Sequence, residues 1–220
     1  AARADGVNVT TEVLPFNAGS APITSAVFSR DWQTVFAITY EDVEWAETGE
    51  RFTKESWERT RREHPMSGVI HHYLKEEWTR RAVTAPDVIV VSDLLAMETR
   101  EKKVAPHNSA FTKVLGTYVR DEQLLPLAVA IEKMTLLPAR RLEAIAPAFK
   151  KKGRIQVGAD ADITVFDPDR VAARATYQAP YREAEGLAHV FVAGVQVIEN
   201  GELVEGRFPG RRLLAPGNRP

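Results

Sequence analysis

Val88-Ile89-Val90-Val91-Ser92-Asp93 is the stretch from which the rest of the chain is read. Four β-branched apolar residues in a row predict a short strand buried on both faces. A carboxylate follows where that strand ends. In parallel α/β sheets and barrels, ligands gather at the carboxyl ends of strands. Asp93 therefore stands where a metal or a water proton is its natural partner. An aspartate there is equally suited to capping the next segment or holding loop amides, and the strand alone does not separate the two.

Outward from the strand the pattern stays regular. A helix over 75–84 precedes it, and Gly68 opens another apolar run, Val69-Ile70-His71-His72. Strand, helix and strand at this spacing predict a βαβ unit with parallel pairing. Farther upstream, Thr53 reads as an N-cap with Glu55 in the first turn, of a helix that runs to Glu63 and stops at Pro65. Residues 23–38 read as two short helices around Arg30-Asp31. Residues 7–13 alternate as a strand. Pro15-Phe16-Asn17-Ala18-Gly19-Ser20 then forms a loop at its carboxyl end, either a plain turn or a ligand-facing loop whose small residues allow close approach. Ser20 is the candidate substrate contact in it. Downstream, 94–109 reads as a long loop, of the kind that is functional or disordered. Helices follow over 110–121, 126–135 and 138–145. The tail changes character, with a strand after Gly158 and a hairpin turned at Ala193-Gly194.

Composition bounds the function. The 220 residues suffice for one large domain or two small ones, and 44% hydrophobic content supplies a core. A net charge of -1 gives no global field to attract nucleic acid or an anionic membrane. No apolar run is long enough to cross a bilayer, and Ala1-Ala2-Arg3-Ala4-Asp5-Gly6 lacks the apolar core of a signal peptide. The absence of cysteine rules out a disulfide framework and thiolate metal ligands. The expectation is a cytoplasmic protein acting on a small molecule. The chain opens without Met, on what reads as a helix end closed by Gly6, which is expected of a fragment.

Two segments of the tail carry a family resemblance. Val157-Gly158-Ala159-Asp160-Ala161-Asp162-Ile163-Thr164-Val165-Phe166-Asp167 resembles the closing signature of metal-dependent amidohydrolases, where the chain returns from a barrel into a small β-sandwich. His189-Val190-Phe191-Val192-Ala193-Gly194-Val195-Gln196-Val197 is similar to the last hairpin of the same family. Phe111-Thr112-Lys113-Val114-Leu115-Gly116-Thr117-Tyr118-Val119-Arg120, Lys133 to Leu142, Arg174-Ala175-Thr176-Tyr177 and Pro209-Gly210-Arg211 resemble, more narrowly, the D-aminoacylase branch, the N-acyl-D-amino-acid deacylases. The resemblance implies an α/β fold: the C-terminal part of a (β/α)8 TIM-like barrel over 1–150, then a β-sandwich portion over 151–220. It implies hydrolysis of the C–N bond of an N-acyl-D-amino acid, with zinc or another divalent metal in the complete enzyme. It places Asp93 on the family's catalytic aspartate, as proton carrier and metal ligand.

The same resemblance marks what is missing. The family's His-x-His pair, bridging ligand and two further histidines lie upstream of the matched region, and this chain contains no His-x-His. Zinc takes about three or four protein ligands, so the chain alone is expected neither to retain the metal nor to hydrolyse substrate. His71 and His72, adjacent on a strand, face opposite sides and read as packing residues; His64 and His189 read as structural or exposed. His107 lies near where D-aminoacylases hold the substrate carboxylate with an arginine. No arginine is present in Pro106-His107-Asn108-Ser109, which leaves His107 or Lys103 as the substitute. Leu94 stands where the family usually has glycine. The alternative enzyme is a cyclic-amide hydrolase of dihydroorotase or hydantoinase type. The alternative from another class is a non-catalytic remnant, associated as a homo-oligomer or with a complementary N-terminal chain, because a half-barrel exposes strand edges and an apolar face.

Overall fold

A computed structural model describes residues 2, 4–29, 31–93 and 107–217. Leu94, Lys103 and most of the loop expected after Asp93 lie outside the described residues. Strand β1 is Thr11–Val13. The strand expected over 7–13 is thus only its last three residues; residues 7–9 alternate in sequence but are exposed and outside the ladder. A lobe follows, made of β2 (Gly19–Pro22), α1 (Trp32–Phe36), β3 (Val43–Trp45), α2 (Lys54–Glu63) and β4 (Gly68–His71). Then α3 (Glu76–Thr84) leads into β5 (Val88–Val90).

The pairing corrects one expectation. β4 does not pair with β5. It is the middle strand of an antiparallel sheet, with β2 on one edge and β3 on the other. Both of its ladders are therefore taken, and no backbone groups remain to receive a parallel neighbour. β5 pairs in parallel with β1, Thr11 opposite Val88 and Val13 opposite Val90. The crossover that parallel pairing requires is the whole lobe plus α3.

The lobe has its own aromatic core. Phe28 meets Trp32 at 5.5 Å and Trp57 at 5.1 Å, both edge-on, the arrangement aromatic quadrupoles favour. Helix α2 begins as expected. Thr53 Oγ1 accepts from the Ser56 amide at 3.2 Å, and Ser56 Oγ accepts from the Thr53 amide at 2.8 Å. This reciprocal cap satisfies two donors that a helix start leaves unpaired.

A second core joins Val13, Val83 and Val90 to Val114 and Tyr118. The last two lie on α4 (Ala110–Lys113), which continues as a π-helical turn over Val114–Asp121. Helices α5 (Leu127–Met134) and α6 (Leu136–Leu142) complete this layer. The tail forms one antiparallel sheet, β6 (Ile163–Phe166), β7 (Leu187–Val192), β8 (Val195–Glu199) and β9 (Glu202–Leu203), paired in that order. Ala193-Gly194 and Asn200-Gly201 take positive φ at both positions, as two-residue hairpin turns require. The described residues therefore form a mixed α/β protein with one parallel strand pair and two antiparallel sheets; neither a closed barrel nor a second sandwich sheet is present among them. None of the described helices is long and apolar enough to cross a membrane.

Candidate functional site

The carboxyl ends of β1 and β5 lie side by side. The Val91 amide donates to Val13 O at 3.0 Å, so the two chains stay together one residue past the ladder. Asp93 follows two residues later, exposed and with φ 50°. Aspartate tolerates this left-handed conformation better than most side chains. Beyond β1, Pro15, Phe16 and Ala18 are buried, and Asn17 O accepts from the Leu74 amide at 3.0 Å. Gly19 then enters β2. A Cβ there would stand 2.8 Å from His71 Cε1, so the backbone approaches the ring as only glycine allows.

Ser20 is not in a loop. It is an exposed residue of β2, opposite Ile70 of β4, because the lobe's sheet begins at Gly19 and captures it. His107 opens the short helical turn His107–Ser109 that precedes α4. The structure thus brings Asp93 and the segment leading to Ser20 to one end of a parallel pair.

Several residues near that end escaped the sequence reading. The Lys113 ammonium sits 5.0 Å from the Phe16 ring centroid and 3.7 Å from Glu76 Oε1. Burial pushes it below the usual lysine range, with Glu76 as the first opposing charge. The Tyr118 hydroxyl donates to Glu76 Oε1 at 2.7 Å. No signal beyond a lysine in an amphipathic helix marked Lys113 beforehand.

His71 lies among Phe28, Phe36 and Tyr73, with ring centroids 5.0–5.5 Å away. Burial, with a smaller contribution from His72, pushes its imidazole down to about 4. His72 faces the other way, as strand alternation requires. Its Nε2 is 3.5 Å from Oε2 of Glu44, a carboxylate only 4% exposed that also has Arg51 at 3.7 Å. Burial lowers the His72 imidazole, and Arg51 adds to this while Glu44 opposes it. The Tyr177 ring meets His72 edge-on at 5.3 Å and packs on Ala18, Ala46 and Ile70. Its hydroxyl is sealed from solvent, and burial pushes the phenol up to about 12 against the pull of the Ala18 amide.

Among the described residues no group of three or more histidine or acidic side chains is arranged to hold a metal ion. Asp93 is one candidate ligand, and one carboxylate does not fit zinc without others.

The model of the amidohydrolase family matches residues 91–198. The chain is 33% identical over 220 residues to an N-acyl-D-glutamate deacylase of Alcaligenes xylosoxydans xylosoxydans, covering 96% of this chain and 42% of that protein. A crystal structure of D-aminoacylase superposes with a TM-score of 0.78 at 27% identity, over 97% of this chain and 44% of that one. The N-acyl-D-glutamate deacylase from Bordetella bronchiseptica, solved with zinc and a phosphonate inhibitor, gives 0.72 at 30% identity, over 89% of this chain and 41% of that one. The chain spans less than half the length of these relatives. From the end of the strand that leads to Asp93 through to the hairpin of the tail, the chain carries a segment that matches the amidohydrolase family.

Proposed function

We propose that this chain is part of a metal-dependent amidohydrolase that cleaves the C–N bond of an N-acyl-D-amino acid. The observation that carries the reading is Asp93, at the carboxyl end of a parallel strand pair, in a chain whose relatives are D-amino-acid deacylases. Asp93 takes a proton from the attacking water and returns it to the leaving nitrogen as the C–N bond breaks, releasing a carboxylic acid and a D-amino acid. A divalent metal, zinc in the first place, supplies Lewis-acid polarisation and a more acidic water when bound. The reading makes Asp93 one of its ligands and assigns the others to the remaining length of the protein.

Residues 1–150 are assigned to the barrel part and 151–220 to the sandwich part. The half-exposed strands of the tail sheet and the two-stranded β1–β5 pair support that assignment, since such surfaces call for cover from a complementary N-terminal portion. Ser20 and His107 are assigned to substrate binding, His107 to the substrate carboxylate. The substrate is a small molecule, and nucleic acid and membrane have no part.

The test joins this chain to the polypeptide that carries the His-x-His segment, by co-expression or as one chain. Hydrolysis of N-acetyl-D-amino acids that a chelator abolishes and zinc restores is the expected result. Turnover of a cyclic amide in place of every N-acyl-D-amino acid assigns the hydantoinase-like alternative. A metal-free homo-oligomer with no turnover of either assigns the remnant.

A further inference from the structure

A length of chain between β6 and β7 leaves the tail sheet and crosses to the lobe. It is closed at its base by the Ala172–Glu185 bridge. Along its course the Ala175 amide donates to Ser109 Oγ at 3.4 Å, and Asn108 Nδ2 donates to Arg182 O at 3.3 Å. Between these pins Tyr177 reaches Ala18, which is only 2% exposed. Ala18 belongs to the segment that runs from the end of β1 into β2.

That segment is held on a second side. Asn17 O is bonded to the Leu74 amide, and Gly19 is pressed against the His71 ring. Behind Tyr177, the His72 ring lies with its Nε2 3.5 Å from Glu44 Oε2. β2 has only four residues and one ladder partner, β4, and an edge strand this short is poorly held by its ladder alone. We propose that Tyr177 is a positioning residue. It seats Ala18 against the lobe, and through Ala18 it fixes the register of Gly19 and Ser20 at the carboxyl end of β1. This rests on the assignment of Ser20 to substrate binding. It adds that the tail, through one side chain, sets the geometry of a substrate strand that belongs to the barrel part.

Hydrogen exchange in the 220-residue chain tests the placement without any turnover. Tyr177→Ala is expected to speed exchange of the amides of residues 17–20 by about ten-fold or more, with the amides of β7 and β8 within about three-fold. Tyr177→Phe, which keeps the ring, is expected to hold residues 17–20 within about three-fold of the parent. Unchanged exchange at 17–20 in Tyr177→Ala overturns the proposal, and so does an equal rise in the tail sheet. If Tyr177→Ala does not fold, Tyr177→Leu reads the same amides against the same limits.

In the longer polypeptide, Tyr177→Ala is expected to raise KM for an N-acyl-D-amino acid about ten-fold with kcat within about three-fold, and Tyr177→Phe to restore KM. An unchanged KM overturns the positioning role. A parent that hydrolyses no N-acyl-D-amino acid overturns the functional reading instead, and exchange at residues 17–20 then decides the placement.

Discussion

Val13 and Val90 lie opposite each other in parallel register, so Phe16 and Asp93, each three residues farther on, leave the sheet at the same end. Asp93 takes φ 50° there. Asparagine also tolerates that backbone, whereas alanine adds about 1 kcal/mol of strain. Asp93→Asn therefore isolates the chemistry. It is expected to leave stability within about 0.5 kcal/mol, while kcat of the complete enzyme falls by about 10²–10⁴. Steady-state assays with zinc saturating measure this, and near-normal turnover removes Asp93 from proton transfer.

The buried imidazole of His71 makes stability depend on pH. Its folded value of about 4 lies below the ordinary 6.5. Between those values the unfolded chain binds a proton that the folded chain does not. Stability is therefore full above pH 6.5 and falls as pH drops toward 4. The loss from this group is about 2 kcal/mol between pH 7.5 and 5. His72, lowered in the same direction by burial, adds to the slope. Urea unfolding at the two pH values reads it. His71→Phe keeps a ring among Phe28, Phe36 and Tyr73 and is expected to flatten the dependence. A slope that survives this substitution intact assigns it to other groups.

Lys133 is a buried cation with a structural task. The residue is 2% exposed, and its ammonium donates to the carbonyls of Ala85, just past α3, and of Val88, at 3.2 Å, in β5. It thus ties α5 to both ends of the connection that delivers β5. Burial lowers its pKa, with Asp87 opposing. Lys133→Met keeps the stem but leaves two carbonyls without their donor, at a cost of about 2–3 kcal/mol. The urea midpoint is expected to fall with the m-value unchanged. A change under about 0.5 kcal/mol means that water replaces the ammonium at both carbonyls.

Local signals carried much of the fold, and non-local ones carried the errors. Thr53 with Pro65 bounded α2, and Ala193-Gly194 turned the tail hairpin, because caps and two-residue turns are decided within a few residues. The buried β5 was legible from β-branching alone. Its partner was not, since nothing in Val69-Ile70-His71 says that β2 and β3 already occupy both of its edges. Ser20 was misplaced for the same reason: Gly19-Ser20 reads as loop until β4 is known to lie beside it. At the candidate site, strand and carboxylate together put Asp93 just past the carboxyl end of β5, where the structure has it, while its catalytic role came only from the family resemblance. Lys113 over Phe16 and Tyr177 on Ala18 join residues about 97 and 159 positions apart, and no pattern in a single sequence reports such contacts.

One close approach gives a prediction whose sign is set by tertiary structure. Gly116 lies in the π-helical turn after α4, where a Cβ would stand 2.5 Å from Val171 O and 3.3 Å from Ala172 Cα. Arg120 Nη1 donates to the same Val171 carbonyl at 2.6 Å, so the helix and the base of the crossing segment are in direct backbone contact. Helix propensity alone says that Gly116→Ala stabilises by about 1 kcal/mol. The contact says the reverse: the methyl must push Val171 away, and Val171 is 1% exposed with little room to move, for a net loss of about 2–3 kcal/mol. Gly158→Ala supplies the control. Nothing lies within 4 Å of its Cβ position, but its φ of 84° costs about 1 kcal/mol. Thermal unfolding should rank the parent first, Gly158→Ala second and Gly116→Ala last. A Gly116→Ala chain more stable than the parent would mean that the helix does not touch Val171, and the crossing segment would then lose this backbone contact with the α4 layer.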